Sequence, residues 1–145
     1  METITIVMLG LVVALHIGFL ILEMFLWSTP LVQKRLPVNS TPEEMAKKLA
    51  ANMGLYNGFI AIGLVWGLLA SEGSFSIKLF FLSAAIVAGI FGGLTVKRSI
   101  FFFQAVPASL ALNLDLSKKL WDRTARSQII LSRSFYGMIP ESHRF

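Results

Sequence analysis

The chain has 145 residues, 55% of them hydrophobic and 14% charged, with a net charge of +5 and a mean hydropathy of +0.71, a balance that excludes an ordinary soluble domain of this size. It contains no cysteine, which excludes disulfides, thiolate catalysis and cysteine-bound metal. The excess basic residues fall in predicted loops and the tail, where in a membrane protein they report topology and lipid contact, so membrane lipids are the expected partners and nucleic acid is not.

Four membrane spans are predicted. The first runs from about Thr3 to Trp27. Met1 and Glu2 give no positive n-region, and the apolar run is longer than a signal peptide's, so it is read as a retained span. A polar loop with Pro30 and Pro37 follows. Thr41-Pro42-Glu43-Glu44 then reads as a capping box opening the second helix, whose membrane part is about Leu49 to Leu69. After a short turn, Ser71 to Ser74, the third span runs from Ile77 to Val96 and ends at Lys97-Arg98. The fourth runs from Ile100 to Leu114, is short, and carries Pro107 as an expected kink.

Residues 1–114 thus form an all-α, four-span transmembrane helix bundle, and 115–145 a basic C-terminal tail. In the tail Lys118, Lys119, Arg123, Arg126, Arg133 and Arg144 alternate with Leu, Trp121 and Ile129-Ile130-Leu131. A basic surface helix and a disordered segment both fit that pattern. Loop charges give the topology a weak bias. Lys34, Arg35, Lys47, Lys48, Lys97 and Arg98 outweigh Lys78 on the other side, which favours an outside N-terminus, whereas the basic tail argues the opposite.

Small residues recur four apart at Gly10-Ala14-Gly18, Gly54-Gly58, Gly63-Gly67 and Gly89-Gly93. Helices in lipid associate through such close-packing faces, so a compact bundle is expected, with homo-oligomerisation through a GxxxG face as the other use.

The few polar residues in the spans converge on one leaflet. His16 and Glu23 are nearly two turns apart on one face of the first helix, and Asn52, Tyr56 and Asn57 fall at matching depth on the second. Thr95, Lys97 and Arg98 close the third, and Gln104 enters the fourth from the same side. The other half offers almost nothing polar. An intramembrane carboxyl costs roughly 2.5–3.5 kcal/mol on insertion scales, so Glu23 is expected to face inward and find a partner: Lys97, Arg98, Asn52 or Asn57. Each residue also has a plainer use. Glu23 could tie helices to Lys97 or Arg98, His16 could bond a core carbonyl, the asparagines could be interhelical glue, Tyr56 could sit at the interface, Gln104 could cap locally, and Lys97-Arg98 could anchor topology.

The stretches HIGFLILEMFLW, AANMGLYNGFIAIGLVWG and GIFGGLTVKRSIFFFQAVPASLAL, in this order and spacing, resemble a bacterial membrane family, domain-of-unknown-function family 1304 (DUF1304), over roughly residues 4–112. The resemblance implies a small four-span protein of the bacterial plasma membrane with no established activity, although some members are labelled epimerases. It maps family positions onto His16, Glu23, Asn52, Tyr56 and Asn57. It also marks a departure at Met53, where the family pattern has Gln, and says nothing of the tail beyond about Asn113.

No metal is expected, since His143 is the only histidine besides His16 and no ligand spacing exists. No phosphate loop or dinucleotide fingerprint calls for a cofactor. The readings kept are a pocket for a lipophilic small molecule, with Glu23, His16 and Tyr56 as acid–base candidates for an isomerase or epimerase and Asn52, Asn57, Gln104, Lys97 and Arg98 as binding residues; a proton-coupled or small-molecule transporter; and a structural accessory subunit.

Overall fold

The computed structural model describes residues 2–30 and 43–138. Its elements are α1 (Glu2–Met24), α2 (Glu43–Leu69), α3 (Ser74–Thr95), α4 (Arg98–Ile100), a π-helical turn (Phe101–Ala105) and α5 (Val106–Met138). The last three run on without a break as a fourth rod. Four helices are long and apolar enough to cross a membrane, the fourth spanning Arg98–Arg133. The proposed cap at Thr41 and Pro42, and the loop with Pro37, lie outside the described residues.

Each helix packs on the next, and α1 closes against the fourth rod, giving an antiparallel ring. The end that holds the start of α1, the α2–α3 turn and the outgoing α5 is the A end; the opposite end is the B end. At the A end, Gly73 adopts φ +67°, a left-handed conformation that glycine takes without cost, and so reverses the chain. The Ser74 hydroxyl then donates to the Gly67 carbonyl at 2.6 Å, satisfying an acceptor in the last turn of α2.

The interior is built from small side chains. Ala46, Ala50, Ala61, Ala85, Ala105, Ala108 and Ala111 are buried with Leu9, Val12, Leu64 and Leu82, while Ile62, Leu69, Phe80, Val87, Phe91 and Leu94 stand exposed. Bulk outside and small residues inside is the arrangement that lipid allows, because acyl chains solvate large side chains and close packing holds the helices. The glycines show how close that packing is. A Cβ on Gly54 would lie 2.7 Å from Met24 Cγ, and one on Gly63 would run into the Phe81 ring. One on Gly89 would lie 2.5 Å from the Ala105 nitrogen. The Gly10–Gly18 stripe differs: a Cβ on either glycine would meet nothing within 4 Å, so this face takes no part in the bundle's close packing.

The fourth rod is longer than its sequence suggests. Helix continues through Asp115 to Met138, so the basic segment past the apolar run is helical as far as the described residues go. The irregularity near Pro107 is a π turn just before it, closed by the Val106 N–H on the Phe101 carbonyl. Proline has no N–H to give the carbonyl four residues back, and the wider turn changes the register there.

Candidate functional site

Polar side chains lie on two floors, separated by a layer of Leu9, Val12, Leu64, Leu82, Ala85, Ala108 and Ala111. The B floor gathers one residue pair from α1 and one residue each from α2 and the π turn. His16 is fully buried, and its Nδ1 is 2.8 Å from the Val12 carbonyl. A carbonyl only accepts, so Nδ1 carries the proton. Gln104 Nε2 lies 3.2 Å from His16 Nε2 and also donates to Asn57 Oδ1 at 3.2 Å. An amide nitrogen only donates, so His16 Nε2 is the bare, accepting nitrogen. Asn57 Nδ2 in turn donates to Glu23 Oε2 at 2.8 Å. The result is one unbroken chain from imidazole to carboxylate across three helices.

Two local features set it up. Gly54 and Gly58 let α1 settle on α2, with Leu20, Glu23 and Met24 filling the space their side chains would take. Gly89, Gly92 and Gly93 let α3 approach Ala105, Ile100 and Phe101, which holds the π turn carrying Gln104 against the bundle.

Beside the chain is a cavity of about 170 Å³. Glu23, Asn57 and Gln104 form its polar side, and Phe19, Ile60, Ala88 and Ile100 are among its apolar lining. Met53 and Tyr56 also line it yet are well exposed, Tyr56 at 58%, so the cavity has its mouth on the outer surface of α2. Met53 is the position where the resemblance leads one to expect Gln.

Of the residues singled out in the sequence, Glu23, Asn57, Gln104 and Tyr56 line the cavity. His16 is bonded to its wall through Gln104 but does not line it. Asn52 is exposed and outside the lining. Lys97 and Arg98 are likewise exposed and outside the lining, while Glu23 is held by Asn57. The backbone explains the position of Lys97: both Val96 and Lys97 turn their N–H back onto the Gly92 carbonyl, and Lys97 is extended, so the helix has already ended there. Asn52 and Tyr56 lie off the stripe Ala50, Gly54, Asn57, Gly58, Ala61 and Leu64 that faces inward. That stripe of small residues was the signal that separates Asn57 from Asn52.

The A floor is polar too, contrary to the expectation of an apolar far half. Lys78 Nζ pairs with Asp115 Oδ1 at 2.5 Å, both side chains largely buried, and Lys118 pairs with Glu2 at 2.8 Å. Asp115 carries no site signal in the sequence because it ends the apolar run of the fourth span. Lys78, embedded just inside α3, was the cue that an acid should lie at its depth.

A family model described as a protein of unknown function (DUF1304) matches residues 10–116, reaching Asp115. The uncharacterized protein YpaA of Lactococcus lactis subsp. lactis (strain IL1403) is 31% identical over 115 residues, covering 76% of this chain and 95% of the relative. No solved structure matches the chain.

Proposed function

The chain belongs to the DUF1304 family, whose function is unknown, and from that premise we propose that it is a multi-pass protein of a bacterial plasma membrane that binds a lipophilic small molecule in the B-floor cavity. The observation that carries this reading is the cavity wall: a carboxylate and two amides, fixed by one hydrogen-bond chain, facing a space whose other lining is apolar apart from Tyr56 at the mouth. Roughly 150 Å³ suffices for a benzene-sized guest, so a ring or short branched head with a carbonyl or hydroxyl fits. The mouth at Met53 and Tyr56 lies on a helix face suited to acyl chains, so the guest enters from the bilayer and leaves any longer tail there.

Within this reading Glu23 is the acid–base group and Tyr56 the second proton donor. A carboxyl that takes a proton from carbon beside a carbonyl and returns it elsewhere is an isomerase's chemistry, and it calls for no cofactor. The carrier reading is weaker, because the apolar layer between the floors leaves no polar route among the described residues. Gentle extraction followed by mass spectrometry tests the proposal. A reproducible lipophilic species should accompany the wild-type protein and be lost from Glu23→Gln; wild-type protein that carries nothing overturns the reading.

A further inference from the structure

The A floor holds an unmet demand. Asp115 is 3% exposed, and its Oδ2 is buried with no hydrogen-bond partner among the described residues, although Oδ1 is bound to Lys78. Buried carboxylate oxygens are rarely left so, and each such atom asks for a donor. Asp115 lines two hollows. One, about 370 Å³, is shared with Glu2, Thr5, Ser74, Lys78 and Lys118. The other carries Lys119, Asp122 and Arg126 on its rim, with the Lys119 ammonium 3.5 Å from the centre of the Phe75 ring. Glu2 begins α1 and Ser74 begins α3, so both hollows lie at the A end of the spans.

We propose that this floor is a second binding site, one for an aminoethyl-phosphate group, as in the headgroup of phosphatidylethanolamine. The primary ammonium donates to Asp115 Oδ2 once the carboxylate turns toward the hollow, with Glu2 beside it, and the phosphodiester rests against Lys118, Lys119 and Arg126. A primary ammonium meets the demand and a quaternary one does not, because choline has no N–H to give. Basic hollows between helices at the membrane surface recognise phospholipid headgroups by the same charge arrangement. The site is independent of the B-floor cavity.

The test is competition between lipids of identical acyl chains for the full-length protein, read by native mass spectrometry. Phosphatidylethanolamine should be retained over phosphatidylcholine by roughly tenfold, the worth of one charge-assisted hydrogen bond. Asp115→Asn alone strands Lys78 and endangers the fold, so the decisive variant replaces both partners, Lys78→Met with Asp115→Leu; apolar replacement of a buried ion pair is generally tolerated. In that variant the preference should fall to unity. Arg126→Gln should weaken both lipids while leaving their ratio intact. Equal retention of the two lipids by wild type, or a preference that survives the double replacement, overturns the proposal. Soluble phosphoethanolamine that displaces the lipid at matched headgroup concentration would support the chemistry and make the free compound the ligand; failure to displace it makes the lipid the ligand.

Discussion

Gln104 and Glu23 sit in the same hydrogen-bond chain but carry different loads. Gln104→Leu removes two bonds and strands His16 Nε2 and Asn57 Oδ1 in the interior. Interhelical bonds in membranes average about 0.6 kcal/mol, and an unmet buried group costs about 1–3 kcal/mol, so this variant should lose about 1–3 kcal/mol on thermal unfolding in detergent. Glu23→Gln keeps an acceptor for Asn57 and should lose less than about 1 kcal/mol. Equal losses in the two variants would show that the carboxyl is there for packing. At this scale the sequence was partly legible. Polarity inside apolar runs picks out His16, Glu23, Asn57 and Gln104 directly. Which of them touch was not legible, because rotation of one helix about its axis exchanges Asn57 for Asn52 and Tyr56, and only the small-residue stripe on α2 decides between them.

Among the elements, the fourth rod departs furthest from its sequence, and the contact between Gly89 and Ala105 governs it. A methyl at Gly89 would press on the Ala105 backbone, which cannot swing aside as a side chain can. Gly89→Ala should therefore destabilise by about 1–3 kcal/mol, the usual range for overpacking, and should push Gln104 off its partners. Gly10→Ala meets open space and gains helix propensity, so its unfolding midpoint should hold or rise. The two melting curves check the contrast. The four-residue spacing was legible at all these sites; its use was not, because the same motif serves an interior face and an outward one. The rod outruns its apolar stretch for a physical reason. Charges at Asp115, Lys118 and Lys119 end an apolar run, yet Lys78 meets Asp115 and Glu2 meets Lys118, so the helix carries them without breaking.

For the molecule as a whole, four antiparallel rods put the start of α1, the α2–α3 turn and the outgoing α5 at one end, and the α3–α4 turn at the other. Because the chain has no cysteine, single-cysteine variants report this arrangement cleanly. Thr3→Cys, Ser71→Cys and Arg133→Cys should react together with an impermeant maleimide, and Lys97→Cys only when the opposite face is open to it. Mixed labelling of the first three would refute the four-span topology. The number of rods was legible from hydropathy because lipid demands long apolar runs. The two-floor layout was not, since it depends on the Lys78–Asp115 partnership across sequence-distant helices. The B floor carries one last implication. Between its imidazole and its carboxylate stand only carboxamides, which hold their hydrogens rather than hand them on. A proton lifted from a guest by Glu23 would therefore return to that guest or leave through the mouth rather than travel inward to His16.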